Sequence, residues 1–186
     1  MRQPVTAARV EEFMKALGHG VKGPARVFLV GGATAVLLGW RDSTIDIDLK
    51  SVPERDDILR QLSALKERLE INIELAAPDN FIPALPGWED RSQFIRQEGN
   101  LTFLHYDYYA QALAKIERGH ENDLHDVEQL ISRRLVDPRR LRQLFSAIEA
   151  DIPKYPALHA GSFRRAVELV VTRALKNETT DQNPSQ

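Results

Sequence analysis

The stretch GGATAVLLGWRDSTIDIDL, Gly31 to Leu49, decides how this chain is read. Its final segment, Thr44–Lys50 (TIDIDLK), alternates strictly. Successive side chains of a strand project to opposite faces, so Ile45, Ile47 and Leu49 share one face and Asp46 and Asp48 the other. Two like charges on one sheet face repel, and something must compensate them. Upstream, Arg26–Val30 (RVFLV) reads as a short buried strand, Gly31 and Gly32 turn the chain, and Ala33–Leu38 (ATAVLL) is a small-residue helix closed by Gly39.

Working outward, TAARVEEFMKAL at 6–17 places Val10, Phe13, Met14 and Leu17 at helical spacing, with Thr6 as N-cap and Gly18 and Gly20 as the stop. Ser51-Val-Pro-Glu54 has the form of a capping box before a helix whose stripe is Ile58, Leu62, Leu65 and Leu69. Ile71–Leu75 (INIEL) alternates again, with Asn72 and Glu74 opposite its apolar face. Residues 76–88 are loop-like, and Leu101–His105 is a further strand. From Tyr106 onward the periodicity is helical in four segments: 106–119, 123–135, 138–152 and 162–175. The polar end, 176–186, reads as a disordered tail. This order predicts an α/β (α+β) protein: an α/β core over 1–108 with a small mixed sheet and flanking helices, then a C-terminal helical region over 109–175.

Composition narrows the function. The 186 residues are 42% hydrophobic and 28% charged, with a net charge of −2, so no global pull toward nucleic acid or anionic membrane exists. Absence of cysteine excludes disulfides and thiolate metal sites or nucleophiles. No apolar run approaches the ~20 residues of a membrane span, and the first residues lack a signal-peptide core. A soluble cytoplasmic protein with no membrane partner is expected.

Asp46 and Asp48 lie two apart on a strand, roughly 7 Å along it. If the strand carrying Glu74 is a neighbour, three carboxylates converge. A hard divalent cation removes that electrostatic penalty, and magnesium favours carboxylate oxygens. Two such ions clamp the attacking and leaving oxygens of a phosphoryl or nucleotidyl transfer. A Gly-Gly turn lets backbone N–H groups approach a phosphate closely. It is neither a P-loop nor a dinucleotide fingerprint, because the lysine and the third glycine those need are missing.

Gly31-Gly32, thirteen residues, then Asp46-Ile47-Asp48 resembles the signature of the DNA polymerase beta-like nucleotidyltransferase superfamily. The resemblance implies a nucleotidyltransferase core in which Gly31 and Gly32 contact a triphosphate. Asp46, Asp48 and Glu74 would hold magnesium (two ions, or manganese in its place), with Asp79 competing for the third position. A second stretch, LAKIERGHENDLHDVEQL at Leu113–Leu130, resembles the lysine–arginine–Asp-x-x-Asp motif of AbiEii-type toxins and related minimal nucleotidyltransferases. The matching residues are Lys115, Arg118, Asp123 and Asp126. Arg41 and Thr44 resemble the residues leading into the toxins' first motif. Together these likenesses imply a magnesium-dependent transferase that moves a nucleoside monophosphate from an NTP to a hydroxyl. They also imply a toxin acting on tRNA, with a cognate antitoxin as partner. In that scheme Lys115 steadies phosphate charge, Asp123 and Asp126 orient the lysine or the acceptor, and Arg41, Thr44 and Arg118 help bind nucleotide. A non-catalytic nucleotide- or partner-binding module, such as an antitoxin-like subunit, is the alternative.

Other features read as ordinary surface. His105, His120 and His125 form no metal set and are expected at the surface. The Arg pairs 133–134, 139–140 and 164–165 hint at RNA. However, residues 115–176 hold twelve Lys and Arg against nine Asp and Glu, a small surplus.

Overall fold

A computed structural model describes residues 4–181. The described residues divide into two compact units: residues 4–77 with 89–107, and residues 78–88 with 108–181. The first unit carries a five-stranded mixed sheet. Its strands are β1 (Ala25–Val30), β2 (Asp46–Val52), β3 (Asn72–Glu74), β4 (Gln93–Glu98) and β5 (Leu101–His105), in the order β3-β2-β1-β5-β4. The β1–β2 and β4–β5 pairs are antiparallel, whereas β1–β5 and β2–β3 are parallel. The α/β expectation is met. The aspartate strand β2 lies beside the central strand β1, with Val30 opposite Asp48 and Leu29 opposite Leu49.

Helices α1 (Ala7–Gly20), α2 (Gly31–Leu37) and α3 (Asp56–Arg68) also belong to this unit. The core joins Val10, Phe13, Met14 and Leu17 of α1 and Ile58, Leu62 and Leu65 of α3 to Val27, Leu29, Ile47, Leu49, Ile73 and Phe103 of the sheet. The strand alternation therefore buries Ile47 and Leu49 and leaves Asp46 and Asp48 half-buried on the other face. Ile45 departs from that reading: it precedes the strand and is 78% exposed. The chain ahead of α1 pins the same region, since Val5 and Thr44 exchange both backbone hydrogen bonds, at 2.7 and 2.9 Å.

Three local readings are corrected. Gly18 does not stop α1, which ends at Gly20 as expected; a side chain at Gly18 would collide with the backbone of Glu98 in β4. Ser51 is not a helix cap. It is a buried residue of β2, and α3 starts at Asp56 after Arg55. Asp56 and Asp57 supply the first-turn acids that suit the helix dipole, and the Arg55 guanidinium holds the Asp57 carboxyl down at about 2. Between the loop-like segment and β5, the periodicity gave no sign of a short helix α4 (Trp88–Arg91) or of the edge strand β4.

The second unit holds α5 (Tyr108–Arg118), α6 (Glu121–Ser132), α7 (Pro138–Ile148) and α8 (Ala160–Asp181), with a 3-10 turn at Pro78–Asn80 and another at Glu149–Lys154. Pro138 occupies the first turn of α7, where its missing N–H is harmless. Asp137 caps the helix by accepting from the Arg140 backbone at 2.8 Å. The core here is Leu141, Leu144, Phe145, Phe163 and Val167, with the Phe145 and Phe163 rings edge to face at 4.9 Å. Helix α8 runs six residues into the segment read as a tail. Arg139 reaches Glu178 at 3.2 Å, and Thr179 back-bonds to the Leu175 carbonyl. Residues 182–186 of that segment lie outside the described residues.

Candidate active site

The site grows from the register of β1, β2 and β3. Asp46 faces Asn72 and Asp48 faces Glu74 across the parallel ladder, so the three carboxylates occupy adjacent positions on one sheet face. Asn72 links two of them. Its amide donates to Asp46 Oδ1 at 2.5 Å and to Glu74 Oε1 at 2.9 Å. Asp46 and Asp48 are half-buried and Glu74 is exposed.

The glycine pair borders this face. Val30 is the cross-strand partner of Asp48, so Gly31 follows directly beside the carboxylate. Gly31 has φ +59°, a conformation L side chains seldom adopt, and an added Cβ would stand 3.3 Å from Asp48 Oδ2. At Gly32 an added Cβ would collide with the Thr44 side chain, meeting its Cβ at 2.6 Å. Gly31, Gly32, Thr44 and Asp48 thus come together. Arg41 lies half-buried in the connection from α2 to β2. Asp79 belongs to the 3-10 turn of the second unit, where its carbonyl accepts from Tyr155, while Glu74 stands beside Asp48 in the sheet.

In the second unit Lys115, Arg118, Asp123 and Asp126 assemble into one ion cluster. Lys115 Nζ lies 2.7 Å from Asp126 Oδ2 and 3.2 Å from Asp123 Oδ1, and Arg118 reaches Asp123 Oδ1 at 2.7 Å. The i, i+3 spacing on each helix aligns the two cations of α5 with the two acids of α6. Lys115, Asp123 and Asp126 are buried, so each charge depends on its partners.

The sequence missed His105. It is 6% exposed, contrary to the surface expectation; His120 and His125 are indeed exposed. Burial pushes the His105 imidazole down to about 4, so the ring is neutral at physiological pH. Its Nδ1 lies 3.1 Å from Thr34 Oγ1, and Thr34 donates to the Leu29 carbonyl at 3.2 Å. Because the threonine hydrogen is used on Leu29, the ring nitrogen is assigned as the donor. The signal was available: in LTFLH, His105 shares its face with Leu101 and Phe103, both fully buried.

Among the described residues, no three His, Asp or Glu side chains are grouped as a ready-made metal site. The donor set on β2 and β3 still suits magnesium, which takes one or two carboxylates and completes its shell with substrate phosphates and water. The exposed arginine pairs are largely answered by local partners: Arg139 by Glu178, Arg164 by Glu149, Arg133 by Gln129 and Arg165 by Ser162. No helix among the described residues is long and apolar enough to cross a membrane.

Comparison with curated proteins gave no match, and comparison with solved structures gave none. A family described as "Nucleotidyltransferase of unknown function (DUF6036)" matches residues 7–172, which takes in both units, the glycine pair, the aspartate pair and the Lys115 cluster. The chain belongs to this nucleotidyltransferase family.

Proposed function

We propose that the protein is an active, magnesium-dependent nucleotidyltransferase that moves a nucleoside monophosphate from an NTP to a hydroxyl acceptor. The observation that carries this reading is the meeting of Gly31, Gly32 and Thr44 with Asp48 on the sheet face shared by Asp46 and Glu74. Asp46 and Asp48 would hold magnesium, and Glu74, beside Asp48, is the third acid of the set. When bound, the metal supplies charge neutralisation at the phosphates and lowers the pKa of the acceptor hydroxyl. The chain's own residues do the rest. Gly31 and Gly32 offer backbone N–H groups with no side chain in the way, so a triphosphate can lie close to the main chain. Thr44, held by Val5, adds a hydroxyl at the edge of that cradle. Arg41 and Arg118 are the basic side chains that the toxin resemblance assigns to nucleotide, and Lys115 the one it assigns to phosphate charge. Asp123 and Asp126 hold Lys115 in place.

The resemblance to AbiEii-type toxins supports a tRNA acceptor and a cognate antitoxin. The test is transfer of label from each α-labelled NTP to bulk tRNA or protein, with magnesium or manganese present. Labelled product from the native chain and none from Asp46→Asn is the expected result. No label with any acceptor class overturns the reading. One observation favours the rival, a non-catalytic binding module: Asn72 already engages Asp46 and Glu74, and among the described residues no three-ligand metal group is preformed. That rival predicts nucleotide or partner binding that Asp46→Asn leaves unchanged.

A further inference from the structure

We infer that His105 and Thr34 are positioning residues that hold the glycine pair in its triphosphate-binding conformation. The inference rests on the nucleotidyltransferase reading above and names two residues that reading does not use.

The Leu29 carbonyl is the anchor. It lies two residues before Gly31 and accepts two hydrogen bonds, from the Tyr106 backbone at 2.9 Å and from the Thr34 hydroxyl at 3.2 Å. Thr34 lies three residues after Gly31, so its hydroxyl closes a loop across Val30, Gly31, Gly32 and Ala33. His105 completes the chain by donating to Thr34 Oγ1 at 3.1 Å from the end of β5, where it is paired with Leu29. Both side chains are buried, Thr34 at 1% exposure and His105 at 6%. A glycine pair is intrinsically loose, and holding Gly31 at positive φ needs constraint from outside the pair. The polar pair provides directional bonds across the turn, and a buried hydrogen-bonded pair of this kind is costly to leave half-made. The neutral imidazole donates to Thr34 from Nδ1, a bond that suits an orienting role.

Loosening the turn should weaken triphosphate binding more than the chemical step. In the full-length protein, His105→Ala and Thr34→Val should raise the KM for NTP by about tenfold with kcat changed less than about threefold. His105→Asn places an amide N–H near the Nδ1 position, and Thr34→Ser keeps the hydroxyl. Both should return KM to within about threefold of the native value. Binding of inorganic triphosphate with magnesium, followed by calorimetry, gives the same ranking without turnover. If His105→Ala does not fold, Thr34→Val against Thr34→Ser reads the same link from its other end. Native KM in His105→Ala and Thr34→Val overturns the inference, as does a loss in the conservative variants equal to that in the disruptive ones. A native chain that neither transfers a nucleotide nor binds triphosphate overturns the functional reading instead. That outcome is told apart because it is seen before any variant is made.

Discussion

Glu74 stands directly across the parallel β2–β3 ladder from Asp48, two carboxylates facing each other, with the Asn72 amide donating to Glu74. Like charges directly opposite on a sheet destabilise it by about 0.2–1 kcal/mol. The same pair that would hold a cation therefore repels itself in the ligand-free fold. Asp48→Asn should raise the melting temperature without ligand by about 1–3 °C. It should lower transfer about a thousandfold, the effect of about 4 kcal/mol lost from the transition state. Glu74→Gln should show the same thermal gain with a smaller activity loss. Magnesium with NTP should raise the melting temperature of the native chain and leave that of Asp48→Asn unmoved. Thermal shift with and without ligand checks both halves, and a destabilised Asp48→Asn would refute the electrostatic account.

The two glycines should fail for different reasons. Gly31→Ala forces an L residue to φ +59° and sets a methyl 3.3 Å from Asp48 Oδ2. The backbone penalty is about 1–2 kcal/mol, and the methyl narrows the phosphate approach. Gly32→Ala is a packing collision with Thr44. Thr44→Gly in the same chain should therefore recover stability lost in Gly32→Ala but none of that lost in Gly31→Ala. Urea denaturation of the single and double variants tests this, and equal recovery in both would contradict it.

The legible part of the fold was the part with one clean physical signal. The alternation of TIDIDLK buries Ile47 and Leu49 because β2 is an inner strand with a single apolar face. β4 carried no such signal. It is the sheet edge at the other end, Phe94 is 65% exposed, and the register shifts between Phe94 and Arg96 break the period of two. Ser51 imitated a capping box because capping and strand-end residues draw on the same small polar types. The candidate site was visible as spacing: Gly31, Gly32, Asp46 and Asp48 needed only one β-strand and one turn. Glu74's position beside Asp48 depended on β2–β3 pairing, which a single sequence does not encode locally. His105 was hidden differently: histidine is a common surface residue, and only its place on one face with Leu101 and Phe103 marks it as buried.

Lys115 separates architecture from chemistry. Its ammonium is shared by Asp123 and Asp126 in a buried setting. Removing one member of a buried cluster strands the others, at about 3–5 kcal/mol. Lys115→Met should destabilise the protein by that order. Lys115→Met with Asp126→Leu should recover most of the loss, because the stranded charge goes too, while Arg118 still answers Asp123. Transfer activity in the double variant then decides the role of the Lys115–Asp126 pair. Native stability with activity lost makes the pair part of the reaction, and native stability with activity retained makes the cluster a tie between α5 and α6. Chemical denaturation and labelled-NTP transfer on the same samples give both answers.

His105 should give the protein an acid-sensitive limb that begins above the carboxylate range. Its ordinary value of 6.5 applies to the unfolded chain, and burial lowers the folded value to about 4. Above 6.5 the ring is neutral in both states and pH has no leverage through it. As pH falls from 6.5 toward 4, the unfolded chain takes up a proton that the folded protein refuses, so stability declines. The decline approaches about 1.4 kcal/mol per pH unit and amounts to about 3 kcal/mol in all. Below about 4 both states are protonated and this contribution stops changing. His105→Asn cannot titrate, so its urea midpoint should fall less steeply than that of the native chain between about pH 7 and about pH 5. Surface carboxylates are common to both proteins and cancel in the difference. Parallel midpoints over that interval would mean that the folded imidazole accepts its proton as readily as the unfolded one, and that burial does not hold it neutral.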